Sequence, residues 1–222
     1  MPVRLRPTAP IATDAVLVGD PGRALMLAQS LLMEPTMSNH ARGLWGYSGQ
    51  TAAGRELSIQ ATGMGGPSAA LVLADLAELG VRRAIRVGTC VAIEPEPGPG
   101  DLLTVLEAHA WSGGGAGAAV LPDVGLTARL RQELGQAARP AIVASLDAPH
   151  SSGHVEPAPY AEKVDAADMQ TATLFSGAEV LGLAIAAVLI VAENSVGDQA
   201  DDDRIEAAAK LGGAAASIAL YP

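Results

Sequence analysis

The chain has 222 residues, 49% of them hydrophobic, with 25 Gly, 3% aromatics and a formal net charge of −10. That length buries a substantial core, and so few aromatics leave small residues to do most of the packing, as in layered α/β folds. The acidic balance excludes a non-specific nucleic-acid surface, and a lone cysteine, Cys90, excludes an intrachain disulfide and fits a reducing compartment.

Residues 1–10 are interrupted by prolines and hold no apolar run, so no signal peptide is expected there. Ala15–Val18 reads as a strand ending at Gly19, and Pro21 opens a helix over Gly22–Leu32. Leu57–Ala61 reads as a strand broken by Gly63–Pro67. Ser68–Leu79 has helical apolar spacing closed by Gly80. Ala84–Val87 is the next strand, Pro95–Gly100 a rigid turn, and Leu102–Leu106 a strand. Ser112–Gly117, SGGGAG, has the composition of a surface loop. An amphipathic helix follows over Leu126–Ala137, then a strand over Ala141–Ala144. Residues 146–166 read as irregular. Met169–Leu181 is helical, Ala186–Val191 a strand, and Asp201–Leu220 helical. The longest apolar run, Leu181–Val191, is too short to span a bilayer and reads as a helix end entering a buried strand. Strand–helix alternation throughout predicts an α/β fold in one domain, residues 1–222, in a soluble, cytoplasmic protein without membrane contact.

Three segments carry chemistry. In Gly19-Asp20-Pro21-Gly22-Arg23 a strand meets a helix whose first turn offers N–H groups and an arginine to an anion. Gly63-Met64-Gly65-Gly66-Pro67-Ser68 again ends a strand and opens a helix, and its glycines permit close backbone approach. Arg86-Val87-Gly88-Thr89-Cys90 is expected just past a buried strand, with a planar fork of donors, a glycine and a hydroxyl. One such turn is an ordinary connection. Three at strand ends, where α/β folds place ligands, point to an oxyanion site.

In this order, with Asn39-His40-Ala41-Arg42-Gly43, Gly100-Asp101-Leu102 and Asp168-Met169-Gln170, the segments resemble the nucleoside phosphorylase family that includes bacterial purine nucleoside and uridine phosphorylases. The resemblance is close over residues 15–106 and looser over 141–195. It implies a three-layer α/β/α fold with a central mixed sheet. It also implies phosphorolysis: phosphate attacks the anomeric carbon and releases free base and pentose 1-phosphate. Gly19, Arg23, Arg86 and Thr89 would hold phosphate, with Arg42 supplied by a neighbouring subunit of a dimer or hexamer. Met169 and Gln170 would face the sugar, and Cys90, Val91 and Asp168 the base. Arg86 and Glu193 would be catalytic, the latter donating to the leaving base. No cofactor is implied beyond phosphate as co-substrate.

The departures from the family pattern are specific. Gln170 stands where the family has a glutamate that accepts both sugar hydroxyls. Because charge-assisted hydrogen bonds are the stronger ones, Gln170→Glu is expected to raise turnover. Glu193 stands where purine-specific members have an aspartate, and Val91 replaces a glycine beside the base pocket. Residues 147–155 lack the glutamine and arginine by which uridine-specific relatives read a pyrimidine, which favours purine. His150 and His154 share that stretch; a solvated loop is the default there, and no metal site is expected. His40 and His109 have no evident partner. Two other readings stay open: a phosphate-binding paralogue with little activity on common ribonucleosides, and a hydrolytic nucleosidase. Three phosphate-directed arginines argue against the latter.

Overall fold

The structure is a computed structural model, and it describes residues 4–112, 115–146 and 164–221. Its centre is β1 (Asp14–Val18), DAVLV, buried at every position as a strand covered on both faces must be. Asp20 caps the helix that follows, α1 (Pro21–Leu31), accepting from Arg23 N at 2.7 Å, with Pro21 pre-set for the first turn. The chain then forms β2 (Leu32–Asn39), a short 3-10 turn at Ala41–Gly43, β3 (Gly46–Thr51), β4 (Glu56–Ala61) and α2 (Gly65–Glu78). After β5 (Arg83–Ala92) come β6 (Leu102–Ser112), β7 (Gly115–Val120), α3 (Val124–Leu134), β8 (Ala138–Leu146) and β9 (Ala166–Asp168). The chain closes with α4 (Thr171–Leu181), β10 (Ala184–Glu193) and α5 (Asp202–Ala219).

The strands form one mixed sheet in the order β10-β6-β8-β9-β5-β1-β4-β3-β2, with β7 on β6. β10 also pairs with β5, so strands β5, β10, β6, β8 and β9 pair in a closed circuit. The two-residue alternation of each strand divides the core. Val16, Val18, Ile85 and Val87 pack with α1, α3 and α5 on one face. Ala15, Leu17, Ala84 and Cys90 pack with α2 and α4 on the other. This is the expected three-layer α/β/α arrangement with a mixed central sheet.

Several elements differ from the sequence reading. The strand containing Ala84–Val87 runs on to Ala92, so Arg86–Thr89 lies inside β5 and not beyond its end; pairing with β10 from Arg83 to Val91 sustains it. β2, β3, β7 and β9 carry no clean alternation and were not expected. β2 tolerates Pro35 because it is the sheet edge, where a missing N–H costs little, and its pairing register shifts between Met33 and Thr36. Within SGGGAG, residues 115–117 belong to β7, which pairs with β6. α4 begins at Thr171, leaving Met169 and Gln170 before its first turn. No helix among the described residues is long and apolar enough to cross a membrane.

Candidate active site

The carboxyl ends of β1, β4, β5, β8 and β10 open on a cavity of about 710 Å³. Ligands in α/β sheets bind at this end. Every residue that the resemblance assigned to phosphate, sugar or base lines it except Arg42: Gly19, Arg23, Arg86, Thr89, Cys90, Val91, Asp168, Met169, Gln170 and Glu193. Gly63, Met64 and Gly65 line it too, so the three glycine-containing segments converge. Gly63 and Gly65 have φ of 73° and 79°, the left-handed region in which glycine is free of Cβ strain.

Arg86 sits on the α2/α4 face of β5 with its side chain 5% exposed. A charge so buried needs a partner, and Asp168 supplies it: Arg86 Nη2 donates to Asp168 Oδ2 at 3.0 Å. Arg86 Nη1 donates to Gln170 Oε1 at 2.6 Å, and Nε to Thr171 Oγ1 at 3.2 Å. Three of the guanidinium's five N–H donors are thus taken, and the other two have no partner among the described residues. Gly88 is a glycine for a related reason. A Cβ there would come within 2.5 Å of the Arg86 guanidinium carbon. Its role is to make room for Arg86, not to bring backbone to a ligand.

Asp168 was expected to face the base. Its carboxylate is instead committed to the protein. Besides Arg86, it accepts from the Ser145 hydroxyl at 2.5 Å, the Thr171 hydroxyl at 2.6 Å and the Thr171 amide at 3.1 and 3.2 Å. It neutralises Arg86 and holds the start of α4. Gln170, expected to face the sugar, is likewise tied to Arg86, Thr62, Gly63 and Gly65. Met169 between them is half-buried in the wall.

Arg23 is half-buried at the first turn of α1, and its pKa is lowered by burial and further by the Arg86 charge, while Asp20 opposes this. The two cations thus act on one another across the cavity that both line. Thr89 is half-buried beside them. At the far end, β10 shifts register between Val191 and Glu193, so Ala192 and Glu193 both enter the lining. Such a bulge re-aims a side chain at a strand end. Glu193 pairs with Val91 across the sheet, roughly 7 Å further along β5 than Thr89 at the usual rise per residue. Its Oε2 accepts from Gln199 Nε2 at 3.3 Å. Burial, with a smaller contribution from Asp168, pushes the Cys90 thiol pKa far up, so Cys90 is a packing residue and not a thiolate.

Arg42 lies outside the cavity, exposed, on the 3-10 turn, in a left-handed conformation with φ of 59°. Asn39 anchors that turn, donating to Leu44 O at 2.5 Å while accepting from Arg6 N at 2.8 Å. His40 is exposed beside it. His109 does have partners, Glu107 at 2.7 Å and Gly117 O at 3.3 Å, remote in sequence from the cavity residues. His150 and His154 lie outside the described residues. Among the described residues no group of three His, Cys, Asp or Glu is placed to hold a metal. Sequence reasoning missed Thr62, Ser145 and Thr171. Nothing in their local sequence marks them, since their side-chain partners lie 23 to 108 residues away or, as with Thr171 and Asp168, across a helix start.

The fold and the cavity define an α/β protein whose cavity, at the carboxyl ends of its strands, is lined by Arg23 and Arg86. Residues 13–220 match the phosphorylase superfamily, and the chain belongs to that family. Similar curated proteins are named purine nucleoside phosphorylase DeoD-type. The protein from Oceanobacillus iheyensis is 42% identical over 94 residues, which are 42% of this chain and 40% of that protein. Those from Clostridium novyi and Bacillus thuringiensis are 39% identical over 104 and 99 residues, covering 46% and 44% of this chain and 44% and 42% of theirs. The chain thus spans about two fifths of the length of the curated relatives it matches.

Proposed function

We propose that the chain catalyses phosphorolysis of a nucleoside, purine favoured, giving free base and pentose 1-phosphate. The observation that carries this is the convergence of Gly19, Arg23, Arg86, Thr89 and Glu193 on one cavity. The relatives' names agree with it. Phosphate, held by the N-terminus of α1, Arg23, the two remaining donors of Arg86 and the Thr89 hydroxyl, attacks the anomeric carbon as the bond to the base breaks. Positive charge develops on the sugar and is stabilised by the bound anion. The leaving base gains electrons and takes a proton or hydrogen bond at the Glu193 end.

Among the described residues the lining holds two arginines, Arg23 and Arg86, against three carboxylates, Asp20, Asp168 and Glu193. That balance is short of positive charge for an anionic co-substrate. The exposed Arg42, presented on an anchored turn away from its own cavity, supports assembly into a dimer or hexamer in which each subunit completes its neighbour's site. The reaction needs no cofactor besides phosphate, and a cytoplasmic setting fits a chain whose one cysteine is reduced and buried. The deciding experiment is a panel of purine and pyrimidine nucleosides incubated with and without phosphate, with free base and pentose phosphate measured. Phosphate-dependent base release is expected, faster with purines. Equal release without phosphate overturns the reading in favour of hydrolysis, and no release from any nucleoside favours a binding role.

A further inference from the structure

Gln170 is buried where the Gly63–Gly65 turn meets Arg86. A glutamine side chain offers two lone pairs and two N–H groups. Three have fixed partners, and the fourth faces a hydroxyl that also reaches Val18 O. Oε1 accepts from Arg86 Nη1 at 2.6 Å and faces the Thr62 hydroxyl at 3.0 Å. Nε2 donates to Gly63 O at 2.7 Å and Gly65 O at 3.2 Å. The opposite amide orientation would set Oε1 against two carbonyl oxygens and Nε2 against a guanidinium donor, so the surroundings fix the orientation. Thr62 has one hydroxyl proton and also lies 3.0 Å from Val18 O. Wherever that proton goes, the Thr62 oxygen occupies the second lone-pair direction of Gln170.

We propose that Gln170 is a positioning residue: it ties the Gly63–Gly65 turn to Arg86, so that guanidinium and turn face the cavity in fixed register, and it takes no hydrogen bond from the substrate's sugar. The kinetic side of this rests on the phosphorolytic reading above. Only an amide both accepts from Arg86 and donates to two carbonyls. A glutamate here would place a carboxylate oxygen against Gly63 O and Gly65 O, and the turn would be pushed away. Gln170→Glu therefore lowers activity, the reverse of what the sequence pattern suggests.

The test uses the full chain with Gln170→Ala, Gln170→Glu and, as the milder change, Thr62→Val. Each is assayed on inosine and 2′-deoxyinosine with phosphate varied. A positioning role raises the phosphate KM about tenfold or more in the Gln170 variants, the effect of losing one charge-assisted contact to a reoriented Arg86. The ratio of kcat/KM between the two nucleosides stays within about twofold of wild type, because no lost contact involves the 2′-hydroxyl. Thr62→Val moves the phosphate KM in the same direction by less. A selectivity ratio shifted about tenfold with phosphate KM unchanged would make Gln170 a sugar ligand and overturn the proposal. So would a Gln170→Glu variant more active than wild type. Hydrogen exchange at the amides of Met64, Gly65, Gly66 and Ser68 gives a readout independent of turnover. It accelerates in Gln170→Ala if the tie exists, and unchanged exchange overturns the tie. Wild-type protein without phosphate-dependent base release defeats the phosphorolytic reading alone, and the exchange result then decides the role of Gln170.

Discussion

Gly88→Ala is the smallest change that reaches the centre of the site. Gly88 has no left-handed φ, so the substitution carries no backbone strain and its whole effect is steric. The new Cβ would stand 2.5 Å from Arg86 Cζ, 2.6 Å from Nη2 and 2.8 Å from Nε. These distances are well inside contact, and the guanidinium must move. Moving it strains the 3.0 Å ion pair with Asp168, whose side chain is fully buried, and the bonds to Gln170 and Thr171. Overpacking of this kind costs about 1–3 kcal/mol. For a domain of this size each kcal/mol lowers Tm by about 2–4 °C, so calorimetry should show a fall of roughly 2–12 °C. The phosphate KM should rise with it. A double-mutant cycle isolates the cause. With Arg86→Ala already in place there is nothing for the methyl to strike, and adding Gly88→Ala should then cost less than about 0.5 kcal/mol. A Gly88→Ala protein with wild-type Tm, or one equally damaged with and without Arg86, would refute the account of why this strand carries a glycine.

Further outcomes follow from the same geometry. Replacing Glu193 by Gln should slow base release about 10²–10⁴-fold from ordinary purine nucleosides, but much less from a nucleoside whose base is already cationic and leaves without a proton; equal loss on both removes Glu193 from the acid role. Subunits carrying Arg42→Ala, mixed with subunits carrying Arg86→Ala, should regain phosphate-dependent activity that neither has alone, and light scattering should show an oligomer. A monomer with normal phosphate binding rules out the shared site. The raised thiol pKa of Cys90 makes stability pH-dependent in a definite direction: the unfolded thiol ionises near about 8.5 while the folded one stays protonated. Wild type should therefore lose about 2 kcal/mol relative to Cys90→Ala between pH 8.5 and 10, measured by urea unfolding, and below pH 8 the difference should not vary with pH.

The local sequence determined a good deal of this protein. Strand, glycine turn and helix start are written within a few residues around Gly19 and Gly63, because φ/ψ freedom, capping and apolar spacing are short-range properties. Asp20 capping α1 and the Leu181–Val191 run splitting into helix end and strand are legible in the same way. The edge strand β2 and its neighbour β3 were not, since pairing with a neighbour can hold a strand whose own alternation is poor. The contacts among the site residues came only from the tertiary structure. Arg86, Asp168 and Gln170 look in sequence like separate groups waiting for phosphate, base and sugar. Folding brings residues 82 and 84 positions apart to within 3.0 and 2.6 Å and commits them to one another. A buried charge takes the nearest partner that the topology offers, and topology is set by the pairing of β5 with β9 and β10, which no local pattern encodes.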